Sequence, residues 1–95
     1  MTDRARQDAL NYICQHYGFF NQRDMLVEEA AELIHSVSKC KRNAPGAWDN
    51  FVEETADVYI LLHQMIDVIG EEKVMTVVDY KINRQVLRIN NEENY

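Results

Sequence analysis

Apolar residues recur at intervals of three and four along most of this chain, as they do on one face of an α-helix. No stretch alternates apolar and polar residues in the manner of a half-buried strand. Breaks fall at Gly18, at Pro45-Gly46 and at Gly70. The pattern therefore predicts an all-α chain with four helical segments. The approximate segments are Asp3 to His16, Asn21 to Arg42, Asp49 to Ile69 and Glu71 to Ile89, followed by a polar tail, Asn90 to Tyr95, that we expect to fray.

The second and third segments are the longest, and the Pro45-Gly46 turn lies between them. Asn21 is a favourable N-cap for the second segment, with Asp24 three residues later. Gly70 is a favourable C-cap for the third, and two acidic residues follow it as the first turn of the next helix. We therefore expect a four-helix bundle-like chain built around a long central antiparallel helix pair.

The third segment is apolar around most of its circumference. A helix of this kind must be covered on more than one side, and a chain of this length has few partner helices to offer. We therefore expect self-association to complete the bundle, as a dimer or a dimer of dimers. The residues that cannot all face one side are Phe51, Val58, Ile60, Leu61, Leu62, Met65 and Ile69.

Composition narrows the possible partners. The 95 residues form one expected domain, 1–95, with 10 basic and 16 acidic side chains and a formal charge of −6. Nucleic acid and anionic membranes require clustered positive charge, so neither is an expected partner. The longest apolar run, Val58 to Leu62, is far shorter than the ~20 residues of a membrane span. Cys14 and Cys40 lack metal-ligand spacing, which is typical of reduced thiols in a soluble cytoplasmic protein.

Two acidic clusters carry the strongest chemical signal. Glu29 and Glu32 are three residues apart in the second segment, as are Glu54 and Asp57 in the third, so each pair points to one side of its helix. Apolar residues surround both pairs, and an antiparallel hairpin can bring them to the same level. Converging carboxylates repel one another, and divalent cations such as Mg²⁺ relieve that repulsion. The alternative is that these acids form solvated helix faces.

At these residues the chain resembles the MazG-like family of all-α nucleoside triphosphate pyrophosphohydrolases, which are relatives of the dimeric dUTPases. The family signature is E-E-x-x-E followed, after a moderate spacer, by E-x-x-D. Here the first half is Glu28-Glu29-Ala30-Ala31-Glu32, and Glu54-Thr55-Ala56-Asp57 follows after 21 intervening residues. The resemblance extends over roughly residues 22 to 88. It implies hydrolysis of a (deoxy)nucleoside triphosphate to a monophosphate and pyrophosphate, with a housecleaning role in the nucleotide pool.

The resemblance also implies a site. Its metal and catalytic residues are Glu29, Glu32, Glu54 and Asp57, which would hold Mg²⁺ or, as a substitute, Mn²⁺. Glu28 and Glu53 would contact the ligand side chains and not the metal itself. Family members often carry K-x-x-R-N-x-x-R on the last helix, and Lys81, Arg84 and Arg88 match its basic positions as expected substrate-binding residues. Gln85 replaces the asparagine, which puts one polar substrate contact in doubt. Contacts by Asn83 or Gln85 and the selectivity for base and sugar stay open.

Two other classes of protein remain possible from the sequence. Glu32-Leu33-Ile34-His35 forms one Glu-x-x-His motif of a di-iron carboxylate bundle, although the chain holds no second copy. A helical interaction module without enzymatic activity would carry the same acids on its surface. Bound iron would identify the first, and the absence of both metal binding and turnover would identify the second.

Overall fold

The computed structural model describes residues 1–93, and over that range the chain forms four α-helices and no strand. The helices are α1 (Asp3–Tyr17), α2 (Phe19–Lys41), α3 (Ala47–Ile69) and α4 (Glu71–Glu93). This confirms the predicted all-α class and the four segments. None of these helices is both long enough and apolar enough to cross a membrane.

The junction between α1 and α2 differs from the sequence prediction. Asn21 is not the N-cap, because α2 begins at Phe19 directly after Gly18. Gly18 has a positive φ of 89° and its N–H donates to the carbonyl of Cys14, so one glycine both ends α1 and starts α2. The Asn21 side chain instead donates back to the carbonyl of Tyr17 over 2.7 Å, which satisfies a free carbonyl at the end of α1.

Helices α2 and α3 form the central antiparallel pair that the sequence predicts. Gln22, near the start of α2, donates to Gln64, near the end of α3, over 2.9 Å. At the opposite end of the pair, the Cys40 thiol donates to the carbonyl of Ala47. The connecting loop spans residues 42–46, and α3 begins at Ala47, two residues earlier than predicted, after a left-handed Gly46.

The core is small and lies where α1 packs against the central pair. Its buried apolar side chains are Leu10 of α1 and Leu61 and Met65 of α3, while Ala47 is buried at the loop end of the pair, beside Cys40. Ser36 of α2 is fully buried, and its hydroxyl donates to the carbonyl of Leu33 within the same helix. With its hydroxyl satisfied internally, this small residue occupies the interior without leaving an unpaired polar group.

Helix α4 diverges from the rest of the chain. Gly70, with φ 114°, ends α3 by donating to the carbonyl of Ile66, as predicted for a C-cap glycine. Helix α4 then runs to Glu93, four residues beyond its predicted end at Ile89, because no glycine or proline stops it there. Asn94 and Tyr95, the rest of the expected polar tail, lie outside the described residues.

A single chain leaves much of its apolar surface uncovered. The radius of gyration is 16.9 Å, whereas a compact domain of this length has a value of about 12 Å. Within the described range α4 contacts only α3. Its apolar residues Val77, Ile82, Val86, Leu87 and Ile89 are all about half exposed. Association between copies, which would cover these residues, stays a prediction.

Candidate metal centre

Three of the four predicted acidic ligands meet between α2 and α3. One carboxylate oxygen from each of Glu29, Glu54 and Asp57 lies within 4.8 Å of the others. Glu54 and Asp57 share a side of α3 because they are three residues apart. The antiparallel packing of the pair then brings Glu29 of α2 to the same level.

Glu32 is outside this trio, although it lies one helical turn beyond Glu29. Its side chain is exposed, and its negative charge contributes to raising the pKa of Glu29. Glu32 is therefore close enough to act on the cluster electrostatically. Glu28 and Glu53, which the resemblance places behind the ligands, are both exposed.

The trio is electrostatically unfavourable by itself. Partial burial raises the pKa of Glu29, and the nearby carboxylates of Asp57, Glu54 and Glu32 raise it further. Each of these causes disfavours the ionised form of Glu29. A cation bound among the carboxylates would reverse that preference, because it favours the deprotonated side chains.

Glu54 is held by a residue that the sequence reasoning missed. The Asn50 side-chain amide, one turn earlier on α3, donates to Glu54 Oε1 over 3.4 Å. Glu54 Oε2 is buried and has no partner among the described residues. The spacing of four between Asn50 and Glu54 could have indicated this contact, since such residues are neighbours on a helix.

The donor set fits a hard divalent cation. Buried, unpartnered carboxylate oxygen is costly, and Glu54 Oε2 faces this cost beside two further carboxylates. Oxygen ligands of this kind suit Mg²⁺ or Mn²⁺. No histidine joins the cluster within residues 1–93, and His35, the residue of the Glu-x-x-His motif, is exposed. Within the described residues, one chain therefore does not bring to this cluster the histidine ligands that a di-iron site uses.

The structure does not bring the three predicted phosphate-binding residues to the acids of the same chain. Lys81 and Arg88 are exposed on α4, and the Arg84 guanidinium lies 5.8 Å from the Tyr80 ring centroid. Arg84 Nε is buried without a partner in the described part of the chain. Over the same part, the ion pairs are Arg6–Asp3 and Arg23–Asp24. The divergence of α4 from α3 accounts for this separation.

No family model, curated protein or solved structure matches this chain. The resemblance to MazG-like hydrolases therefore depends on the two half-motifs and on the position that the helix pair gives them.

Proposed function

We propose that this protein is a Mg²⁺-dependent nucleoside triphosphate pyrophosphohydrolase, which converts a (deoxy)nucleoside triphosphate to a monophosphate and pyrophosphate. The observation that carries the proposal is the carboxylate trio of Glu29, Glu54 and Asp57, whose oxygens lie within 4.8 Å of one another. The unpartnered Oε2 of Glu54 supports it, because a cation would satisfy this buried oxygen.

Glu29, Glu54 and Asp57 would hold Mg²⁺, and Glu32 would reach it from one turn along α2. The metal supplies positive charge for the phosphates and makes a bound water more acidic. By holding the metal, the four carboxylates would fix the position of the attacked phosphate relative to the helix pair. Asn50 donates to Glu54 Oε1, and Oε2 has no hydrogen-bond partner among the described residues, so it is available to a cation.

The basic residues of α4 would neutralise the remaining phosphate charge. Lys81, Arg84 and Arg88 recur at spacings of three and four, so they share one side of α4. Because α4 diverges from its own helix pair, these residues would serve the site of a second copy. We therefore include a homo-oligomer, a dimer or a dimer of dimers, in the proposal, since it would also cover the apolar face of α4.

A screen of nucleoside triphosphates with Mg²⁺ and with Mn²⁺, scoring monophosphate and pyrophosphate, tests this function. We expect turnover that disappears on chelation and in the Glu54→Gln variant. Asp79→Asn, which removes one exposed acid of α4 outside the cluster, is the control and should retain turnover. The absence of turnover with every triphosphate and both metals would refute the proposal. Stoichiometric bound iron would favour the di-iron class instead.

A further inference from the structure

Helices α2 and α3 meet along a seam of residues that are spaced alternately by three and four, as in a coiled coil. Every seam residue except Asp57 is buried or half-buried. The seam carries a polar or acidic side chain at every seventh position of each helix, where packed helices ordinarily have apolar residues. Its members are Gln22, Leu26, Glu29, Leu33, Ser36 and Cys40 on α2, and Ala47, Asn50, Glu54, Asp57, Leu61 and Gln64 on α3.

A buried pair of amides closes the end of this seam that lies away from the loop. Gln22 is 6 % exposed and Gln64 is 1 % exposed, and Gln22 Nε2 donates to Gln64 Oε1 over 2.9 Å. Gln64 Nε2 is buried and has no partner among the described residues. A buried amide with an unpaired donor costs more stability than an apolar side chain of similar size. Stability alone therefore does not explain glutamine at these two positions.

The amide pair is in line with the acidic trio. Glu29 is seven residues after Gln22 on α2, and Asp57 is seven residues before Gln64 on α3. Seven residues advance about 10 Å along a helix and return the side chains to nearly the same direction, within about 20°. A rotation of α2 or α3 about its own axis that displaces the amides would therefore displace the carboxylates by a similar angle.

The loop and the amide bond constrain the helix pair in different ways. The loop of residues 42–46 limits how far one helix can slide along the other. Apolar contacts are not directional, and apolar cores lose a unique arrangement before they lose stability. A hydrogen bond between two buried amides is directional, because it forms only when both side chains face the seam. Buried polar residues specify how helices pair in this way, at a cost in stability.

We propose that Gln22 and Gln64 are positioning residues for the metal centre, because their bond sets the rotation of α2 and α3 that brings Glu29 to Glu54 and Asp57. The proposal rests on the metal site of the function proposed above. Replacing both glutamines with leucine removes the directional bond, and it also removes the unpaired buried donor. The stability of the fold and the quality of the site should then change in opposite directions.

The double variant Gln22→Leu/Gln64→Leu tests this assignment. We expect its unfolding temperature in chelator to equal or exceed that of the original protein, because two buried amides become apolar. Its affinity for Mn²⁺, measured by EPR titration, should fall about tenfold, a loss typical when groups that orient metal ligands are removed. Gln15→Leu, at an exposed glutamine of α1 outside the seam, is the control and should leave this affinity unchanged. Full Mn²⁺ affinity in the leucine variant would overturn the proposal.

The double variant Gln22→Asn/Gln64→Asn separates positioning from packing. Asparagine keeps an amide at both positions but is one methylene shorter, so the unfolding temperature should fall. Mn²⁺ affinity should nevertheless stay within about threefold of the original, since buried asparagines also specify helix pairing. A purely structural role predicts the reverse order of affinities, with the stable leucine variant binding Mn²⁺ better than the asparagine variant, and that order would refute the assignment. If the asparagine variant fails to fold, the leucine variant still decides.

Amide NMR spectra of the metal-free protein give a readout that does not require metal binding. Glu29, Glu54 and Asp57 should give single sharp resonances in the original protein and broadened or doubled ones in the leucine variant, because its helices sample more than one rotation. Single sharp resonances for all three in the leucine variant would overturn the proposal, whether or not the protein binds metal. Absence of Mn²⁺ binding by the original protein would instead refute the metal site of the proposed function.

Discussion

Replacing Asp57 by asparagine should stabilise the protein in the absence of metal. The substitution removes one of three negative charges whose oxygens lie within 4.8 Å. Two charges at that separation repel by about 0.9 kcal/mol in a medium with the dielectric constant of water. Asp57 is exposed, so this dielectric is appropriate. Repulsion from both Glu29 and Glu54 totals about 1.7 kcal/mol before screening, and salt reduces it to about 1 kcal/mol.

A gain of about 1 kcal/mol raises the unfolding temperature of a domain of this size by about 4–8 °C. Thermal unfolding with a chelator measures this gain, at one fixed chain concentration because association would shift the midpoint. Asp79→Asn is the control, since it removes a carboxylate outside the trio and should change the midpoint by much less.

The same variant should lose the response to Mg²⁺. We expect Mg²⁺ to raise the unfolding temperature of the original protein and to have little effect on Asp57→Asn, since one of the proposed ligands is gone. Turnover should disappear in Asp57→Asn and in Glu32→Gln, with helix content unchanged by circular dichroism. If Asp57→Asn is no more stable in chelator and retains the full Mg²⁺ effect, the proposed metal site is refuted.

Three further outcomes follow from the site and from α4. The raised pKa of Glu29 means that the folded state holds its proton to a higher pH than the unfolded state, so metal-free stability should fall as pH rises above the usual glutamate value of about 4.3. Denaturant titrations from pH 4 upward should show this slope, and Glu29→Gln should reduce it. The primary products should be monophosphate and pyrophosphate, and chromatographic detection of diphosphate would contradict attack at the α-phosphorus. Light scattering should give at least twice the chain mass of 11.2 kDa; an active monomer would mean that α4 is not shared between copies.

Periodicity predicted the four helices because each one follows the spacing of its apolar residues. The predicted helix ends were less accurate at the α1–α2 junction, where one residue ends a helix and starts the next. Gly18 terminates α1 and immediately precedes α2, so the favourable N-cap chemistry of Asn21 is not used for capping. An N-cap residue contributes only about 1 kcal/mol to helix stability. The start of α2 directly after Gly18 therefore did not follow the capping preference of Asn21.

The sequence predicted the arrangement of the acidic residues more accurately than that of the basic residues of α4. Glu29, Glu54 and Asp57 meet because their positions follow from helix spacing and from an antiparallel pair with a short loop. Glu32 has the same spacing from Glu29 as Asp57 has from Glu54, yet it lies outside the trio, and helix periodicity alone does not predict this difference. The path of α4 depends on the backbone angles of Gly70, whose φ of 114° is not encoded by any apolar pattern. The distance of Lys81, Arg84 and Arg88 from the acids therefore could not be predicted.

The short connection between α2 and α3 has a consequence for how the protein folds. Residues 42–46 join the two helices, so the carboxylates come together as soon as this hairpin closes, before distant segments need to dock. Helical chains fold quickly, and the contacts formed in the transition state control the rate of folding. We expect closure of this hairpin to belong to that step, so that charge repulsion in the trio slows folding. Neutralising it, by substitution or by a divalent cation, should speed refolding more than it slows unfolding.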